Sequence, residues 1–146
     1  MPSATFTENV EIDATPEEVW DRLQAPGIWE SVGPVQKVWA PTIEDGVLRT
    51  FKWSTNIGGK VYEGVGTALE HQRPNLYVLD LDAGEMAGKV AANLSPGNPG
   101  GTAAEVSIEL RSKGMLSSLF FPAIKNAVGS GFPEQVADMG AQLADN

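Results

Sequence analysis

The sequence predicts an α+β fold in which a curved antiparallel sheet of about seven strands wraps around a long C-terminal helix. Apolar and polar residues alternate along residues 5–13 and 104–110, as in half-buried strands. Turn signals rich in glycine and proline divide the chain between these two segments. From residue 116 onward, apolar residues recur every three or four positions, which is typical of an amphipathic helix.

A short helix is predicted directly after the first strand. Thr15 and Glu18 have the spacing of a capping box, in which each satisfies a backbone amide of the other. The helix is expected to end before Pro26, because a proline disfavours helical geometry at the preceding residue. A short second turn is expected at residues 28–29.

Six further strands are predicted between this helical region and the C-terminal helix. The turns between them include Asp45-Gly46, Gly58-Gly59 and Arg73-Pro74-Asn75. The strand-length runs cover residues 35–40, 47–54, 60–70, 76–82, 87–94 and 104–110.

The C-terminal helix carries two internal prolines with different predicted effects. Ser117 or Ser118 can cap the helix, which places Pro122 near its first turn. Pro133 lies in the middle of the apolar stripe and removes a helical amide, so a kink or a break is expected there.

The composition of the chain excludes several classes of function. We expect one domain over residues 1–146, with a net charge of −9 from 10 basic and 19 acidic residues. That charge argues against a nucleic-acid partner. Because the chain has no cysteine, disulfide scaffolds and thiolate sites are excluded. No apolar run is long enough to span a membrane and the start lacks the features of a secretory signal, so the cytoplasm is the expected compartment. Neither a metal nor a cofactor is expected.

Residues 12–23, Ile-Asp-Ala-Thr-Pro-Glu-Glu-Val-Trp-Asp-Arg-Leu, resemble the first strand and helix of the START-like, SRPBCC helix-grip superfamily. Within it, the chain resembles the small bacterial polyketide cyclase/dehydratase-like type, and Trp29 is similar to the aromatic residue of the short second helix. The resemblance covers nearly the whole chain. It implies a helix-grip fold that binds lipids, sterols, hormones or polyketides between sheet and helix. The chain departs from the oxygenase type, because one histidine and no cysteine cannot form a two-His iron site or a Rieske centre.

Polar candidates for a ligand site are Arg49, Glu63 and Tyr77. Arg49 could receive an anionic head group, and the Tyr77 hydroxyl could orient a ligand. If Val61 and Val65 face the interior, strand alternation puts Glu63 beside them, where it could act as an acid or base. The alternatives are a rim arginine, a solvated glutamate and a structurally buried tyrosine. His71, the only histidine, is expected at a hairpin surface.

Apolar candidates for the ligand site lie on one strand face and on the C-terminal helix. They are Phe51, Trp53, Phe120, Ile124 and Val128. The alternative is that these side chains fill the space between sheet and helix and leave no cavity.

Three functions therefore remain open. The leading hypothesis is binding of a small hydrophobic or amphipathic ligand. The second is a polyketide cyclase or dehydratase that uses Glu63 with Tyr77 or Arg49, and the third is a protein-interaction module that uses the groove. The sequence does not indicate the oligomeric state.

Overall fold

The computed structural model describes residues 2–30 and 32–145 and confirms the α+β helix-grip architecture. The seven strands form one sheet in the order β1-β7-β6-β5-β4-β3-β2, and all neighbouring strands are antiparallel. The elements in chain order are β1 (Ser3–Ile12), α1 (Pro16–Arg22), a 3₁₀ helix (Pro26–Trp29), β2 (Lys37–Glu44), β3 (Val47–Ile57), β4 (Lys60–Gln72), β5 (Leu76–Asp82), β6 (Met86–Pro96), β7 (Thr102–Ser112) and α2 (Met115–Asp145).

The capping box predicted for α1 is present. The Glu18 backbone nitrogen donates to Thr15 Oγ1 at 3.2 Å, and the Thr15 nitrogen donates to Glu18 Oε1 at 2.9 Å. Arg22, in the last turn of α1, donates to the Leu143 carbonyl oxygen near the end of α2 at 2.6 Å. The two helices are thereby joined across the end of the sheet.

An aromatic cluster of Trp20, Trp29 and Tyr77 joins α1 and the 3₁₀ helix to β5. The ring of Tyr77 lies 6.2 Å from that of Trp20 and 5.7 Å from that of Trp29, and all three residues are buried. Trp29 Nε1 donates to the Leu23 carbonyl oxygen at 2.9 Å, so its polar group is satisfied inside the core.

The α2 helix is one continuous element from Met115 to Asp145, so the break expected at Pro133 is not observed. Phe132 and Val136 on either side of the proline are buried in the core, so the packing of α2 continues past it. The start of the helix also differs from the prediction. Ser117 lies inside the first turn, where its backbone nitrogen donates to Glu85 Oε1 at 2.7 Å, and Pro122 therefore lies beyond that turn.

The inner face of the sheet packs against α2, α1 and the 3₁₀ helix. Phe6 of β1 contacts Phe132 of α2 with ring centroids 6.5 Å apart, on the side where α2 lies against the sheet. No helix in residues 2–30 or 32–145 combines the length and the hydropathy needed to cross a membrane.

Candidate functional site

A pocket of about 470 Å³ opens where α2 passes the end of β3. The pocket is bordered by α2, by the end of β3 and by residues 33–36, which lead from the 3₁₀ helix to β2. The pocket is lined by Gly33, Pro34, Val35, Gln36, Thr55, Asn56, Ile57, Met86, Ile124, Ala127, Val128 and Gln135.

Gly33 fixes the path of the segment that borders the pocket. Its φ is +59°, a left-handed conformation that favours glycine, and a Cβ atom there would collide with the side chain of Ile108. The Gly33 backbone nitrogen donates to Gln135 Oε1 at 3.0 Å. The segment is thus fastened to α2 at the mouth of the pocket.

The side-chain amide of Gln135 has a defined orientation. Since a backbone N–H can only donate, the Gln135 atom facing Gly33 must be its oxygen, and its NH₂ group is left to face other partners. No described residue accepts a hydrogen bond from this NH₂ group, so Gln135 brings an unengaged donor to the pocket lining. Asn56 differs, because its Oδ1 accepts from the Gly59 nitrogen at 3.0 Å and it pairs with Val61, which lies on the outer face of the sheet.

The rest of the wall is apolar or uncharged. Apolar side chains come from the 33–36 segment, β3, β6 and α2, and Thr55 adds a hydroxyl group. None of the described residues that line the pocket has an ionisable side chain. The pocket is therefore built to bury carbon and to make a few neutral hydrogen bonds.

A larger groove of about 800 Å³ crosses the outer face of the sheet. It follows the register row in which Asn9 pairs with Glu105 and Glu105 with Asn93, and all three side chains are exposed. Because these polar side chains point away from α2, the candidate site is the smaller pocket between sheet and helix.

Of the apolar residues selected from sequence, Ile124 and Val128 line the pocket. Phe120 is half-buried one turn earlier on α2 and does not line it. The ring of Phe120 lies against Gly58, in the turn between β3 and β4, where a Cβ atom would collide with it. Phe120 therefore forms the contact between the N-terminal part of α2 and that turn.

Phe51 and Trp53 lie deeper, in the filled core of the sheet. The Phe51 ring occupies the space over Gly66 of β4, and both aromatic residues are almost fully buried. Trp53 Nε1 has no hydrogen-bond partner among the described residues. Phe51 and Trp53 therefore fill the core instead of lining the pocket, which is the alternative expected from the sequence.

Arg49 lies outside the pocket and has its own partners. Its NH1 atom is 3.3 Å from His71 Nε2, and its NH2 atom is 4.0 Å from Asp45 Oδ2. His71 is half-buried and faces Arg49, which differs from the exposed hairpin position expected for it.

The expected orientation of Glu63 is wrong. Val61 and Val65 are 57% and 49% exposed, so the face of β4 that they share with Glu63 is the outer one. Alternation was correctly predicted, but the small residues Gly64 and Gly66 occupy the inner face. The reason is steric, since the Phe51 ring and the backbone of β5 leave no room there for a Cβ atom.

Tyr77 is fully buried on the inner face, away from the pocket lining. Its hydroxyl donates to the Leu48 carbonyl oxygen at 2.6 Å, and burial raises the pKa of the hydroxyl well above its usual range. The structure does not bring Glu63 and Tyr77 together, because they lie on opposite faces of the sheet.

Sequence reasoning missed Gly33 and Gln135. One signal was available, since Gln135 is a polar residue inside the apolar stripe that includes Phe132, Val136 and Met139. The other partner, Gly33, is far from Gln135 in sequence, and no local pattern connects the two.

The chain was compared with known proteins at the level of sequence and of structure. The family model described as polyketide cyclase/dehydrase and lipid transport matches residues 3–144. No match was found among curated proteins.

Solved structures share the fold over almost the whole chain. The Zhui aromatase/cyclase from Streptomyces sp. R1128 is similar with a TM-score of 0.71 and 11% identity, over 99% of this chain and 94% of that one. A START superfamily protein from Mycobacterium smegmatis gives a TM-score of 0.68 and 12% identity, over 95% and 98%. A point mutant of norcoclaurine synthase from Thalictrum flavum gives 0.63 and 15%, over 98% and 94%. At these identities the likeness establishes the fold alone.

Proposed function

The chain belongs to the polyketide cyclase/dehydrase and lipid transport family, and from this premise we propose that it binds a small hydrophobic or amphipathic molecule between α2, β3 and residues 33–36. The observation that carries the proposal is the composition of the pocket wall. Apolar side chains border a pocket of about 470 Å³, and the oriented amide of Gln135 interrupts them. This volume lies within the range of roughly 300–1,000 Å³ that small-molecule sites occupy.

Binding rather than turnover is favoured by the positions of the ionisable groups. A cyclase or dehydratase needs an acid or base within reach of its substrate. The acid–base candidates, Glu63 and Tyr77, lie on the outer face of the sheet and in its filled core. The described pocket lining supplies uncharged groups only.

The experiment compares the native and denatured mass spectra of the protein purified from its own host. We expect a small molecule that is present only in the native spectrum. Ala127→Trp places an indole in the pocket, because Ala127 is exposed and lines it. We expect this variant to lose the extra mass.

The matched control is Ala123→Trp, which adds the same side chain one turn earlier on α2, at an exposed position outside the lining. It should keep the bound molecule. Equal retention in the two variants would contradict the pocket assignment. A bare native mass, with no uptake of added lipid or polyketide mimics, would instead favour the interaction-module alternative.

A further inference from the structure

We propose that the pocket selects uncharged ligands that carry a hydrogen-bond-accepting oxygen, such as a ketone or an ester, and that Gln135 determines this selectivity. The inference rests on the proposed function and names the class of ligand. It follows from two properties of the wall, its lack of charge and the orientation of the Gln135 amide.

The first property is that no cationic side chain among the described lining residues could pair with a carboxylate of a ligand. None of the lining residues that the structure describes is a lysine, arginine or histidine. Lys125, on the same helix, is exposed and is not part of the lining. A carboxylate that enters an apolar pocket loses its hydration and gains no opposite charge in return, which is unfavourable.

Two basic side chains outside the pocket are engaged with other groups. Arg49 contacts His71 and Asp45, and Lys113 donates to both carboxylate oxygens of Asp82 at 3.0 and 2.9 Å. The net charge of −9 adds repulsion of anions. Both effects disfavour fatty-acid anions relative to neutral molecules of the same shape.

The second property is the unengaged donor of Gln135. The oxygen of this side chain accepts from the backbone nitrogen of Gly33, so its NH₂ group is left without an accepting partner among the described residues. A ligand that pairs with this group brings an acceptor oxygen. A pure hydrocarbon would leave the donor unpaired when it displaced water from it.

Gln135 is the best placed of the three lining amides to determine selectivity. It is half-buried and its hydrogen bond to Gly33 fixes its orientation, whereas Gln36 and Asn56 are exposed. It also borders a second, smaller pocket of about 170 Å³ beside the 3₁₀ helix, so it forms the wall between the two spaces.

The test uses methyl decanoate and decanoate, which share one acyl chain and differ in charge. Their dissociation constants are measured on the wild-type protein by calorimetric titration near neutral pH, below micelle-forming concentrations. We expect the ester to bind at least about tenfold more tightly than the anion. Equal or tighter binding of decanoate would overturn the inference while leaving the proposed function intact. If neither compound binds, the proposed function itself fails.

The variant Gln135→Glu tests the named residue. Its carboxylate can still accept from the Gly33 nitrogen, but the NH₂ donor is replaced by an anionic oxygen. We expect the affinity for methyl decanoate to fall about tenfold. The control Gln142→Glu makes the same charge change on an exposed residue of α2 outside the main pocket and should bind like wild type.

A second variant separates selectivity from folding. Gln135→Met keeps the length of the side chain but removes both the donor and the oxygen that accepts from the Gly33 nitrogen, and it should weaken ester binding at least as much without adding charge. Unfolding curves of all variants verify that each is folded at the temperature of the titration. Ester affinities that remain at the wild-type value in both Gln135 variants would refute the role of this residue.

Discussion

The side-chain oxygen of Gln135 lies 3.0 Å from the backbone nitrogen of Gly33, so that one hydrogen bond joins α2 to the segment that precedes β2. The two residues border the same pocket. Because Gly33 holds a left-handed conformation against Ile108, the position of the donor depends on the absence of a side chain at that residue.

Gly33→Ala is expected to destabilise the protein. The substitution places a Cβ atom against the Ile108 side chain and forces a non-glycine residue into a positive φ, which costs about 1–3 kcal/mol. Urea denaturation measures the free energy of unfolding. Gly27→Ala is the control, since a Cβ atom there meets nothing within 4 Å. Equal effects of the two substitutions would contradict the argument.

Tyr77→Phe should lower the free energy of unfolding by about 1–2 kcal/mol, because the buried Leu48 carbonyl oxygen loses its hydroxyl donor. Ligand affinity should be unchanged, since Tyr77 is not among the pocket residues. Tyr62→Phe provides the comparison, as no hydrogen bond to the Tyr62 hydroxyl is formed by the described residues. A loss of ligand affinity in Tyr77→Phe would restore this residue as part of the binding site.

The buried indoles of Trp29 and Trp53 should respond differently to replacement by phenylalanine. Trp29 Nε1 donates to the Leu23 carbonyl oxygen, whereas Trp53 Nε1 is buried without a partner. Both substitutions remove similar volume, but only Trp29→Phe leaves a buried carbonyl unpaired. We expect it to cost about 1 kcal/mol more than Trp53→Phe. Chemical denaturation of the two variants in parallel measures the difference, and the opposite ranking would refute it.

The Asp82 carboxylate predicts a pH dependence of stability. The backbone N–H of Gly84 and then the Lys113 ammonium hold the pKa of Asp82 below its ordinary value of 3.8. Because the folded pKa is below the unfolded one, the stabilisation is present above the unfolded value and is lost as the pH falls through the folded one. The free energy of unfolding of wild type and Asp82→Asn, measured from neutral pH into acid, should therefore converge.

The control for this prediction is Asp80→Asn, on the same strand. A difference between wild type and Asp82→Asn that stays constant down to the lowest pH would exclude the carboxylate as its source.

Local patterns were sufficient for most of the fold. The capping box of Thr15 and Glu18 and the alternation of β7 depend on residues close in sequence, and both are present in the structure. Local patterns did not predict which face of β4 points inward. Its larger apolar residues, such as Val61 and Val65, face outward, because the Phe51 ring requires Gly66 on the inner face.

The candidate site was predictable only on the side formed by α2. Ile124 and Val128 belong to a regular apolar stripe, and they line the pocket. The opposite side depends on a contact between Gly33 and Gln135, which are 102 positions apart. Such a contact depends on the tertiary packing of the 33–36 segment against α2, and no spacing along the chain encodes it.

The pairing of the first strand with the last has a consequence for synthesis. β1 lies at the edge of the sheet, and its neighbour there is β7. During translation Ser3–Ile12 is made before Thr102–Ser112, so β1 cannot pair with its neighbour in the sheet until β7 has been made. Gln135 is made later still, so the candidate pocket can be completed only when translation has passed the middle of α2.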